Sequence, residues 1–233
     1  MAVAAAVVAW FVVAPHLARI GLWPDIAIVS AAVIPGTLLL VLVALPLYRR
    51  RWLLPVAAAA FALAAFGCSE AGWQLPANFA KLGAAVFAGW AFLKLFERLS
   101  WVVLVAVLVP LVDSASVWRG PTHAITSHHF HVYTAVAIAF LVPGGGAAYL
   151  GPPDILFYAL FLGAAARWNL RVGWTWVATT FMYGLTVVIA NAAEVGGLPA
   201  LPFLSVGFLA ANADLLWALR RSSSPRSAGS PGA

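Results

Sequence analysis

Along this chain the apolar positions do not alternate with polar ones; they run on in blocks, broken by short polar or proline-containing stretches. A helix needs about 20 predominantly apolar residues to cross a bilayer, fewer when flanking side chains snorkel. On that measure the blocks predict eight helical spans, at about 2–18, 26–48, 52–68, 78–96, 100–118, 154–169, 172–191 and 201–219. Pro15, Pro35, Pro46 and Pro110 are expected at kinks or ends, because each removes an N–H from the helical ladder. The predicted fold class is all-α: a polytopic transmembrane helix bundle of about eight spans.

Composition agrees with the pattern. The 233 residues are 64% hydrophobic and 9% charged, whereas a soluble domain carries about a quarter charged residues. The net charge of +6 is spread in small clusters between apolar blocks, as in cytoplasmic membrane loops, so no nucleic-acid partner is implied. Arg49–Arg51, Lys94 with Arg98, Arg167 with Arg171, and Arg220, Arg221 and Arg226 follow alternate spans; the opposite loops hold Arg19, Lys81 and Arg119. Both termini are therefore expected in the cytoplasm, the compact alanine-rich style pointing to a bacterial cytoplasmic membrane. The first apolar block lacks a basic segment before it and reads as a retained span rather than a cleaved leader. Cys68 stands alone, which excludes an internal disulfide and reads as apolar filler.

Residues 119–150 fit no span. They hold His123, His128, His129 and His131, then the apolar stretch Val132–Val142, then Gly144-Gly145-Gly146. Eleven apolar residues are too few to cross, so an interfacial or re-entrant helix followed by a flexible hinge is expected. The chain divides into N-terminal helices at 1–98, a second helical unit at 99–221 that includes the 119–150 loop, and a Ser/Pro/Gly-rich tail at 222–233 expected to be disordered.

Asp113 and Asp154 lie inside apolar blocks, where a carboxylate costs roughly 3 kcal/mol or more and is rarely idle. A helix rises about 1.5 Å per residue, so Asp113 stands roughly 22 Å from Arg98 and Asp154 roughly 20 Å from Arg167. Antiparallel helices would bring the two acids to one depth. Two such carboxylates share a proton, one acting as base on water and the other as acid toward a carbonyl. The competing reading makes Asp154, after Gly151-Pro152-Pro153, a helix cap favoured by the dipole.

Leu150-Gly151-Pro152-Pro153-Asp154-Ile155-Leu156-Phe157-Tyr158, with Gly163 beyond, resembles the Gly-x-Gly-Asp segment of the presenilin and signal peptide peptidase-type intramembrane aspartyl proteases. Leu198-Pro199-Ala200-Leu201-Pro202 is similar to that family's Pro-Ala-Leu motif, and Asp113 stands one helix upstream, where its first catalytic aspartate belongs. The likeness covers roughly residues 100–219. It departs at Pro153, where the family has glycine, and at Val112, where it often has tyrosine. The resemblance implies an aspartic endopeptidase that hydrolyses peptide bonds within transmembrane helices. Asp113 and Asp154 would be catalytic; Gly151, Pro199, Ala200 and Leu201 would bind substrate, and 119–150 would gate entry. The C-terminus placed inside is closer to signal peptide peptidases and implies substrates of inverted sense. No cofactor is implied; the partners are transmembrane-helix substrates and the bilayer, with a homo-oligomer left open.

Other features read more plainly. The four histidines offer imidazoles but no acid to complete a metal site, so no metal is assigned. Asp25 and Asp214 are expected at interfaces or caps, Glu70 and Glu194 in solvent, and the tryptophans in an aromatic belt. Serine-elbow and zinc-helix motifs are missing. Two alternatives stay open: a proton- or cation-coupled transporter built on helices broken at Pro152-Pro153 and Pro199–Pro202, and a catalytically silent presenilin-like binding protein.

Overall fold

The computed structural model describes residues 2–119, 130–195 and 198–222, with the side chains of 117–119, 130–132 and 219–222 outside the description. His123, His128 and His129, the side chain of His131 and residues 223–233 of the tail therefore lie outside the described residues.

The apolar blocks form helices. In chain order these are α1 (Ala2–Val13), α2 (Leu22–Ile28), α3 (Ile34–Ala44), α4 (Leu53–Glu70), α5 (Gln74–Leu93), α6 (Leu99–Arg119), α7 (Phe130–Val136), α8 (Pro152–Arg167), α9 (Val172–Ala192) and α10 (Ala200–Ser222). A π-helical turn, Val29–Val33, joins α2 to α3 as one rod, and Pro35 follows it at the start of α3. Pro15 and Pro46 sit in 3-10 turns that finish their helices, whereas Pro110 lies inside the continuous α6. Five segments are long and apolar enough to cross a membrane: Leu22–Arg49, Leu53–Glu70, Leu99–Ser116, Val172–Ala192 and Ala200–Ala218. The span from Ala2 to His16 is shorter, α8 has 16 residues, and polar Gln74, Asn78 and Lys81 interrupt α5.

The interior is built around α8. Ile155 and every residue from Tyr158 to Ala165 are buried, and α5, α9, α10 and α6 pack on its sides. Small residues permit the approach. A Cβ on Gly89 would stand 2.3 Å from the Leu156 carbonyl oxygen, and one on Gly163 would meet Leu93 at 2.8 Å and Trp90 at 3.0 Å. Such close backbone approach is how apolar helices gain dispersion contacts when water supplies no driving force. Phe161 stacks on Phe208 of α10 with ring centroids 4.6 Å apart. By contrast, α4 and α6 are exposed along most of their length. Trp52, Trp73, Trp101, Trp174 and Trp217 are exposed at or near helix ends, as a belt requires. Trp90 instead is fully buried.

The stretch expected to be an interfacial helix and hinge is different. After the short α7, Ile138–Leu141 (β1) and Ala147–Leu150 (β2) pair antiparallel, with Ile138 opposite Leu150 and Leu141 opposite Ala147. The glycine run is the turn of this hairpin, not a hinge: Gly144 and Gly145 hold φ of 77° and 81°, a region that glycine enters at no steric cost. Two distant side chains close the outer edge of β1. Asn78 of α5 donates to the Ala139 carbonyl at 2.9 Å and accepts from the Ala139 N–H at 2.8 Å, and Trp10 donates to the Leu141 carbonyl at 3.0 Å. A strand edge in an apolar bundle must find such partners.

Two predictions follow from this packing. Gly89→Ala pushes a methyl group into the Leu156 carbonyl and should cost about 1–3 kcal/mol, read as a lower thermal midpoint in detergent. Asn78→Ala leaves both Ala139 groups without partners, and hydrogen exchange should quicken at residues 138–141 ahead of the α8 core.

Candidate active site

Asp154 owes its position to the first turn of α8. Gly151 is the N-cap residue, and Pro152 and Pro153 occupy the two positions after it. Their missing N–H groups cost nothing there, because the first turn of a helix has no intrahelical partners for them. Pro153 is thus compatible with the helix start. Asp154 turns back and accepts the Gly151 N–H on Oδ2 at 2.9 Å, so it does form the cap that the competing reading described. Gly151 gives that carboxylate room: a Cβ there would stand 3.3 Å from Oδ2. The Asp154 backbone carbonyl accepts the hydroxyl of Tyr183 from α9 at 2.5 Å. Tyr158, one turn along α8, shares a hydrogen bond with Thr180 at 3.2 Å.

Asp113 stands on α6, half-buried like Asp154. Its Oδ2 accepts the Leu201 N–H at 3.1 Å. Leu201 lies in the first turn of α10, so a side chain from another helix satisfies one of the donors that a helix start leaves open. This bond joins Asp113 to the Leu198–Pro202 run, two elements 88 residues apart. Pro199, Ala200 and Leu201 are buried, so the run presents its backbone, not its side chains, to the acid.

Asp113 lies near enough to Asp154 for their charges to interact, and Tyr133 of α7 and Tyr183 lie within electrostatic reach of both. No direct hydrogen bond joins the two carboxyl groups among the described residues; each is held by the amino end of a helix, α8 for Asp154 and α10 for Asp113. The partial positive charge at a helix amino end favours an anion, so both ends oppose the repulsion between the two acids. Hairpin strand β2 ends one residue before Gly151, so the sheet leads directly into the helix start that holds Asp154.

Sequence reasoning did not find Tyr183 or Tyr133. A buried tyrosine in an apolar helix signals a partner for its hydroxyl, but which partner depends on helix packing. Other acids are elsewhere. Asp25 lies in the first turn of α2, buried at 6% exposure, and among the described residues its Oδ1 has no hydrogen-bond partner. Asp214 pairs with Arg171 at 2.6 Å, and Glu70 and Glu194 are exposed.

No protein-family model matches the chain, and neither a curated protein nor a solved structure is significantly similar to it.

The Asp113 bond can be separated from any chemistry at Asp113. Asp113→Ala removes the acceptor of the Leu201 N–H and should destabilise the start of α10 by about 0.5–2 kcal/mol. Asp113→Asn keeps an acceptor oxygen, so hydrogen exchange at Leu201 should quicken in the alanine variant and stay slow in the asparagine variant.

Proposed function

We propose that this chain is an intramembrane aspartyl protease of the presenilin and signal peptide peptidase type, hydrolysing peptide bonds within transmembrane segments of other membrane proteins. The single observation that supports this best is the joining of Asp113, Asp154 and the Leu198–Pro202 run in one cluster within an apolar helix bundle. The three sequence features of the resemblance come from separate parts of the chain, and each has a role in the cluster.

In this reading about eight helical segments lie in a bacterial cytoplasmic membrane, with both termini on the cytoplasmic side. Asp113 and Asp154 hold one proton between them through a water. The ionised partner takes a proton from that water as it attacks the scissile carbonyl, and the protonated partner gives its proton to the carbonyl oxygen. The pair titrates as a unit. The amide N–H groups at Gly151 and Leu201 fix each carboxylate's orientation, which limits the reorganisation required during the reaction. No cofactor enters. In this reading α7 and the hairpin gate the approach to the acids, and the substrate is a helix that unwinds locally before it reaches them.

A second reading keeps the same residues. Helices that begin at mid-bundle, with acids at their amino ends, also suit proton- or cation-coupled transport. The two functions separate in one set of measurements. Asp154→Asn and Asp113→Asn should each lower cleavage of a reporter membrane peptide by about 10²–10⁴-fold, with the thermal midpoint close to that of the parent. An aspartyl transition-state analogue should protect the parent chain alone. Undiminished cleavage in either variant rules out the protease mechanism. Proton uptake into proteoliposomes that depends on Asp154, without peptide cleavage, would put the transporter in its place.

A further inference from the structure

At the end of the bundle away from the hairpin, three cations come together from three elements. Arg51 lies in the turn before α4, Lys94 follows the last residue of α5, and Arg167 ends α8. They are close enough for Arg167 and Arg51 to repel Lys94. Like charges gathered this way oppose folding unless something offsets them. Among the described residues, none of the three has a carboxylate within ion-pair distance, whereas Arg171 nearby in sequence has Asp214.

Two of the three cations are also held in place. Arg167 donates from Nη1 to the Leu93 carbonyl at 3.0 Å, and its guanidinium lies 4.6 Å from the Trp168 ring centroid. The Lys94 ammonium stands 4.5 Å over the ring of Tyr48. Contacts of this kind cut the entropy lost when a ligand is bound. Beside them runs a groove of about 580 Å³, lined by Arg51, Pro55, Ala91, Phe92, Lys94 and Leu95. Its wall is apolar, and Leu95 is 74% exposed. One face of the site is therefore cationic and the adjoining face is greasy.

We propose that this site binds an anionic phospholipid, its phosphate among Arg51, Lys94 and Arg167 and an acyl chain along Pro55, Phe92 and Leu95. Charge complementarity selects the headgroup: basic pockets between membrane helices suit acidic lipid phosphates. The apolar wall selects a lipid over a free anion. A zwitterionic headgroup brings its own cation and would leave the repulsion in place. The site does not depend on the chemistry at Asp113 and Asp154.

The test uses the purified full chain in neutral detergent, with bound lipid counted by native mass spectrometry. Titrants are phosphatidylglycerol, phosphatidylcholine and inorganic phosphate. Phosphatidylglycerol should be retained in preference to phosphatidylcholine, and Arg51→Gln with Lys94→Gln should weaken its retention about tenfold or more. Arg19→Gln with Lys81→Gln removes the same charge at the hairpin end and should leave retention unchanged. Arg51→Gln alone, at an exposed turn position, gives a smaller loss in the same direction and serves if the double variant does not fold. Equal retention of the two lipids overturns the proposal, as does an equal loss in both double variants. Displacement of the lipid by millimolar phosphate also overturns it, by making a soluble anion the occupant.

Discussion

The amino end of a helix inside an apolar bundle presents N–H groups that neither water nor lipid can satisfy, and acceptors must come from elsewhere in the protein. In this chain two aspartates provide them. Asp154 turns back on its own helix start at Gly151, and Asp113 reaches from α6 to Leu201 at the start of α10. Each bond lowers the cost of keeping an acid among apolar side chains. Each also fixes where that acid stands. The first contact is local to the start of α8, whereas the second ties α6 to α10.

The same bonds use only part of each acid's hydrogen-bonding capacity. A carboxylate has several acceptor positions, and a single N–H occupies one of them. Each aspartate spends one oxygen, Oδ2, on its contact with a helix start.

Much of the helical framework was legible in the sequence, since long apolar blocks have few alternatives in a bilayer. The helix bounds at α4, α8, α9 and α10 fall within a few residues of the apolar blocks. Five segments meet the length and apolarity of a span. The hairpin was not legible. Val132–Val142 is a short apolar run, and such a run does not distinguish helix from strand by periodicity. What stabilises β1 is an asparagine 61 residues away and a tryptophan 131 residues away from the groups they bond. Glycines that read as a hinge became a tight turn for the same reason, because pairing of the flanking strands decides their conformation. At the site, the aspartates and the proline run were visible as residue types in order. The contact between Leu201 and Asp113 depends on how α6 and α10 lie against each other, and no local signal encodes that.

The interlock at Gly89 has a mechanical consequence. Backbones nested this closely cannot slide or part without losing dispersion along a whole face, so α5 and α8 behave as a single beam. The peripheral α6 is mostly exposed and packs chiefly on α10, with Asp113 bonded to the start of that helix. A seam between α6 and α10 would open toward the lipid with Asp113 on its lip.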